Sequence, residues 1–420
     1  MLLSIEALGL KNRACPICDS INLRTVLSLP GTPLGDRFCH DPSEAKALEI
    51  YPLRVDRCQS CGHSFIPYST DPGDSYGHYL FNSGQSPGLA ESFSEIVSEI
   101  LSRHKICADD LILDIGANDG SWLSYFGDIG CRLLAVEPAP QPAAISRSRG
   151  IPVINDYFTL TTVLRSGLLI QTPRVISLNY VFANLPNPSE ILCDIASLAG
   201  DNTVITVLTG YHPAQLAVSM FDYVYHEHLS YYSCQDLQAL SEKAGLTITY
   251  CREVPQKGGS LYIEMRKSSR EDSHSIIFET MLKREKWLDT PRDSQWVKVQ
   301  ENLAETGQLV RSSIEEARSK SHQVIGYGAS HSTTTLSYAL GIESSLDFIV
   351  DDNDTRQGLY APGAGCKVVS PKMLTENPGA LLIILAWQHG PKIVNNLIRL
   401  RFHGSVIVPF PSYSKDVFNG

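Results

Sequence analysis

The chain has no long apolar run. Its most apolar stretch, Leu381 to Trp387 (LLIILAW), is far too short to span a bilayer and reads as a buried strand. The first residues, MLLSIEALGLKNRACPIC, have no basic start followed by an apolar core, so no signal peptide is expected. A cytoplasmic protein without a membrane partner follows. A basic stripe is missing too, and the formal net charge is -10. That balance argues against nucleic acid as a partner. It still permits one phosphate ligand, held by backbone N–H groups and one or two cations. Short-period repeats and low-complexity tracts are absent. Disulfides are rare in a reducing compartment, so the eleven cysteines read as thiols or metal ligands.

What is present is ordinary globular material, 43% hydrophobic and 19% charged. A length of 420 residues exceeds what one core organises and implies two or three domains. The first seventy or so residues are rich in Cys, Pro and Gly, and look like a loop-rich unit that needs a staple. A helix is expected over Leu89 to Arg103, with Phe93, Ile96, Val97 and Ile100 on one face. LILDIG, CRLLAVEP, IPVIND, RVISLNY and TVITVLT then read as strands separated by helical or loop segments, the pattern of a parallel, helix-covered sheet. Charged helices follow between about 270 and 320. A second, smaller α/β unit restarts with QVIGYGAS, SLDFIVDDN, GALLIILAW and GSVIVPFP. The expected division is 1–75, 76–266 and 267–420.

Cys15, Cys18, Cys58 and Cys61 form a paired CxxC set. Four thiolates close a tetrahedral zinc site and leave no open position, so the ion is structural. Redox chemistry or unligated thiols are the alternatives. His63 stands close enough in sequence to replace one cysteine, but the four cysteines are the expected ligand set.

The first strand of the larger unit ends in Gly116-Ala117-Asn118-Asp119-Gly120, and the second in Glu137. Glycines let the backbone approach a ligand, and a carboxylate at the tip of the second strand can accept two ribose hydroxyls. The same pair would serve NAD. However, the turn is not G-x-G-x-x-G, which favours a methyl donor over a dinucleotide. Asn179 ends the fourth strand, where such folds place a residue near the cofactor. The glycines could also only shape a turn.

Phe221 to Tyr232 (FDYVYHEHLSYY) is the densest run of titratable side chains and follows the fifth strand. Proton abstraction beside a carbonyl needs a base and a donor for the enolate oxygen. A histidine oriented by a carboxylate, with tyrosines nearby, supplies both. The two histidines could instead bind metal, although positions i and i+2 face apart. A polar loop packed with aromatics remains the plain alternative.

CPIC, CQSC, LDIGANDG, AVEP, YHEHLSYYS, KGGSLY, IGYGAS and DDNDTRQGLYAPG stand in one order along the chain. In that order the sequence resembles the nucleotide-sugar C-methyltransferases, which methylate C-3 of thymidine-diphosphate-linked 4-keto deoxysugars for antibiotic glycosides. The resemblance implies a zinc-binding N-terminal domain, a central Rossmann-like class I methyltransferase domain that uses S-adenosylmethionine, and a C-terminal α/β domain that helps enclose the sugar nucleotide. It implies His228 as base, with Glu227 and Tyr225 beside it and Tyr79 over the sugar. Gly116, Asn118, Asp119, Gly120, Glu137 and Asn179 become the donor contacts, and Gly258, Gly259 and Ser260 a turn near the active site. A monomer or weak homodimer is expected. The chain departs from the family at Phe81, Gly84 and Asn184. It departs again at Ser330-His331-Ser332, where members carry Pro-Ala-Lys-Gly after the alanine.

Overall fold

A computed structural model describes residues 10, 12–71, 73, 83–85, 88–268, 274–288 and 293–420. Tyr79 and Phe81 lie outside these residues. Three sheets follow one another along the chain.

The first sheet is antiparallel: β1 (Leu23–Thr32), β2 (Tyr51–Cys58) and β3 (Ser64–Phe65). This corrects the loop-rich expectation for the first seventy residues. The ten-residue β1 hides its period because two register shifts, at Thr25/Leu27 and Leu29/Thr32, break the alternation, and the second falls at Pro30-Gly31. Val26, Leu27 and Leu29 are buried from β1, Leu53 and Val55 from β2. The fourth strand of this sheet comes from far along the chain: Ser64 pairs with Tyr231 and Phe65 with Ser230.

The central sheet contains β4 (Leu111–Ile115), β5 (Arg132–Val136), β6 (Val153–Ile154), β7 (Val175–Asn179) and β8 (Val204–Gly210). Ser230–Tyr231 is β9. The hairpin β10 (Leu246–Val254) and β11 (Ser260–Lys267) completes the central sheet in the order β10-β11-β8-β7-β4-β5-β6. In this sheet β11 runs opposite to the other six strands. Every residue of β4 is buried, as a strand covered on both faces requires. The helix Leu89–Arg103 covers one face with the expected Phe93, Ile96, Val97 and Ile100. Strand order reverses beside β4, so the crevice at the carboxyl ends of β4 and β7 is where such a sheet takes ligand.

The third sheet contains β12 (Val324–Tyr327), β13 (Phe348–Val350), β14 (Val368–Val369), β15 (Ala380–Ile384), β16 (His403–Val408) and the antiparallel β17 (Ser414–Asn419). Its order is β14-β13-β12-β15-β16-β17. The charged segment before it forms two helices, Ile276–Leu288 and Asp293–Ser319. The longer one buries Trp296, Val310 and Ile314 in a core shared with Val26 and Leu27 of β1, Phe221 of the central loop and Leu336 of the third unit. The three units therefore close on one another. Among the described residues no helix is long and apolar enough to cross a membrane.

Candidate active site

The sulfurs of Cys15, Cys18, Cys58 and Cys61 all lie within 4.8 Å of one another, with Cys15–Cys61 and Cys18–Cys58 at 3.5 Å. Four sulfurs on a zinc ion at 2.3 Å would sit about 3.8 Å apart. The cluster fits that ion. His63 is not its fourth ligand; its Nδ1 stands 3.2 Å from the buried Asp236 carboxylate.

A cavity of about 1530 Å³ opens at the carboxyl ends of the central and third sheets. Gly116, Asn118, Glu137 and Asn179 line one end of it, His228, Tyr225, Glu227 and Lys257 its middle, and Gly328 to Ser332 with Arg356 the other end. Among the described residues, the catalytic and donor-binding expectations converge on one space, with two exceptions. Asp119 and Gly120 stand behind the wall. Asp119 accepts from Ser121 N at 3.1 Å and Gly84 N at 3.1 Å, and pairs with Arg149 at 3.3 Å. Gly120 begins the helix Ser121–Gly127 with a left-handed φ of 75°. Both shape the turn that presents Asn118.

Glu137 accepts Asn118 N on one carboxylate oxygen and Ala139 N on the other, each at 2.8 Å. Each oxygen keeps lone-pair capacity for a hydroxyl donor. Burial pushes this carboxyl up to about 7. Asn179 donates its amide to Asp114 at 3.2 Å, and Ser177 donates to the same oxygen at 2.7 Å. Gly116 has φ 71° and packs against Val181, where a Cβ would meet a methyl at 2.7 Å. A larger residue cannot stand there.

The segment 221–229 is pinned from both flanking units. Asp222 accepts from Trp387 Nε1 and Gln388 Nε2, both at 3.0 Å. Val224 C=O accepts from Thr335 at 3.1 Å, and Leu229 C=O accepts from Ile66 N at 3.0 Å. His226 donates from Nε2 to Pro52 C=O at 3.1 Å and is buried against the first sheet. His228 is held by a different carbonyl, that of Tyr223, so the two rings are anchored apart although both reach the cavity lining.

Tyr223 C=O lies 3.0 Å from His228 Nδ1, which fixes the proton on Nδ1 and leaves Nε2 as acceptor. Tyr225 O–H donates to that Nε2 at 2.7 Å. Burial, with a smaller contribution from the nearby Lys257 cation, lowers His228 to about 3, so the ring is neutral. The expected orienting carboxylate is not what holds this ring; a backbone carbonyl does. Glu227 turns away, with Oε1 3.9 Å from His331 Nε2, and burial raises its carboxyl. His331 in turn stands 3.8 Å from Asp36 of the first unit and 5.0 Å from the Tyr225 ring.

Three sequence families match the chain in succession. One described as zinc binding matches residues 15–76, a methyltransferase domain matches 89–250, and a C-methyltransferase C-terminal domain matches 255–411. Over 399 residues the chain is 25% identical to the C-methyltransferase NovU of Streptomyces niveus, covering 94% of this chain and 95% of that protein. This chain is an S-adenosylmethionine-dependent C-methyltransferase. The methyl donor and a structural zinc ion are its cofactors.

Two solved structures that resemble the chain each cover less than half of it. The magnesium protoporphyrin IX methyltransferase of Synechocystis with bound S-adenosylmethionine is 13% identical, with a TM-score of 0.34, over 46% of this chain and 88% of that one. A 1,6-didemethyltoxoflavin N1-methyltransferase of Burkholderia thailandensis is 18% identical, with a TM-score of 0.32, over 43% and 78%.

Several residues of the enzyme's cavity escaped the sequence reading. Lys257 reads there only as part of a glycine turn, and His331 as a departure from a motif. Arg356 stands inside the DDNDTRQGLYAPG run without being singled out: its guanidinium is buried, pairs with Asp36 at 2.9 Å and donates to Ala329 C=O at 2.6 Å. It ties the first unit to the Gly328 turn. Arg356→Ala would remove the guanidinium that stands 2.9 Å from the buried Asp36 carboxylate. The expected cost is about 3 kcal/mol of stability, read as a lower urea midpoint. An unchanged midpoint would mean the pair contributes nothing.

Proposed function

We propose that the acceptor is a nucleotide-linked keto deoxysugar, methylated on the carbon beside its ketone. The observation that carries this reading is a neutral imidazole, with its acceptor nitrogen in the cavity, in the same space as Gly116, Glu137 and Asn179. The resemblance in sequence supplies the sugar. The cavity volume supports it, since about 1530 Å³ exceeds the roughly 300–1,000 Å³ of a pocket for one small ligand and admits a donor and a second nucleotide together.

In this reading Glu137 takes the ribose hydroxyls of the donor, and Asn118, Asn179 and Gly116 shape its seat. The donor, when bound, supplies an electrophilic methyl group. His228 Nε2 removes the proton beside the ketone. The acceptor displaces Tyr225 O–H from Nε2, which frees that hydroxyl for the substrate. The charge of the enolate then compensates the imidazolium that forms, so a weakly basic ring suffices. Holding the carbon in line with the methyl group supplies much of the rate. Tyr79 over the sugar remains part of the reading from the sequence.

Glu137→Ala is expected to weaken donor binding about 100-fold by calorimetry, the loss of two charge-assisted hydrogen bonds of about 1.5 kcal/mol each. Unchanged affinity would put the ribose elsewhere. The acceptor is tested with a ¹³C-methyl donor and a thymidine-diphosphate-linked 4-keto-6-deoxy sugar. The expected product carries the label on carbon. Label on oxygen or nitrogen, or no transfer to any such sugar, would overturn the reading.

A further inference from the structure

Lys257 occupies the turn between β10 and β11 in an uncommon conformation. Its φ of 55° and ψ of 41° lie in the left-handed region, which costs a residue with a Cβ about 1 kcal/mol or more. Gly258 and Gly259 follow with φ of 73° and 111°. Gln215 Nε2 donates to the Lys257 carbonyl at 3.1 Å and holds the turn. The conformation directs the side chain inward. Its Nζ lies 3.8 Å from the centre of the Tyr180 ring, a cation–π distance. Tyr180 also has a positive φ, 56°, and follows Asn179 directly. Lys257 and His228 both line the large cavity, and both line a small chamber behind it with Tyr180, Tyr223 and Tyr231. The other residues of that chamber are Ala183, Thr209, Gly210, Gln215 and Ser230, all uncharged. An ammonium group is thus set between the donor side and the base, in a strained turn that a plain hairpin would not need.

We infer that Lys257 is a catalytic residue, the cation that holds the enolate oxygen while His228 takes the proton. This rests on the keto-sugar reading. The C–H bond breaks and an N–H bond forms at His228 Nε2. The electron pair moves into a C=C bond, and the carbonyl π pair moves onto oxygen, against the ammonium. When the new C–C bond forms, the methyl group's bond to sulfur breaks and the carbonyl returns. The proton on His228 then leaves to water. Neutral hydroxyls from Tyr180, Tyr223 and Tyr231, whose ionisation burial opposes, cannot offer a full charge.

Burial lowers Lys257 to about 8. If the ammonium form is the active one, the rate falls as pH rises past that value. A neutral amine acting as base would give the opposite slope. The experiment follows exchange of the proton beside the ketone by NMR in D₂O. It uses a thymidine-diphosphate-linked 4-keto-6-deoxy sugar, with S-adenosylhomocysteine in the donor site. Lys257→Met is expected to slow exchange about 10²–10³-fold, the usual loss for one oxyanion donor, with donor affinity by calorimetry unchanged. Lys257→Arg is expected to recover part of the rate and to abolish the fall above pH 8, because guanidinium stays charged. Exchange that rises through pH 8 in the wild type, or a Met variant within threefold of it, overturns the assignment. A wild type that exchanges and methylates no such sugar overturns the keto-sugar reading instead, and this assignment with it.

Discussion

His228→Ala is expected to lower turnover by about two to four orders of magnitude, the usual weight of a general base. The donor seat should survive, because Glu137 is held by Asn118 N and Ala139 N in the turns that follow β4 and β5. Donor affinity within threefold of wild type, with turnover lost, is the signature. The ring also donates to Tyr223 C=O at 3.0 Å, so its removal leaves that carbonyl with one bond fewer. The expected stability loss is about 1 kcal/mol, too small to unfold the chain. His228→Asn or Gln keeps a polar group there and should be equally slow, since an amide is no base at neutral pH. Turnover near normal in any of these variants would remove His228 from the role. His226→Phe is the matching control: its Nε2 is taken up by the Pro52 carbonyl of the first sheet, so the change should alter stability and leave the chemistry within a few-fold.

Removing zinc is expected to have the other large effect. Apparent binding energies of structural zinc reach about 10–16 kcal/mol in small domains, more than the net stability of many domains. Chelation should lower the unfolding temperature sharply and expose the four thiols. Chemistry should be lost with it for a topological reason. Cys61 is followed closely by β3, β3 pairs with β9, and β9 begins two residues after His228. Leu229 is also held by Ile66 N at 3.0 Å. Donor binding should persist, since that seat belongs to the parallel strands of the central sheet. Measuring thermal unfolding, turnover and donor affinity with and without chelator separates the three. Equal stability in both would contradict a structural ion.

Much of this layout was legible from residue order because buried parallel strands read as continuous apolar runs. LILDI, RLLAV and LLII needed no period to be recognised. The first sheet was hidden by bulges and by Pro30, which break alternation. The hairpin β10–β11 was hidden the same way, with a register shift between Ile248 and Tyr250. The site divided along a similar line. Residues on strand ends, such as Gly116, Glu137 and Asn179, fall where the fold must put them. Side chains that reach across from another unit left no local trace. Asp36, Arg356 and His331 meet only because three sheets close on one another. Glu227 shows the reverse error: adjacency to His228 in sequence suggested contact, while the turn closed by His228 N on Tyr225 C=O at 2.9 Å sends the two side chains apart. Lys257 was masked by its company, since a Gly-Gly turn accounts for itself without the lysine.

One measurement addresses the geometry directly: an experimental structure with S-adenosylhomocysteine and a thymidine-diphosphate-linked 4-keto-deoxysugar bound together. The expected result places His228 Nε2 about 3 Å from the carbon beside the ketone, with the sulfur on the opposite face of that carbon. A sugar bound away from His228, or a sulfur on the same side as the imidazole, would contradict it.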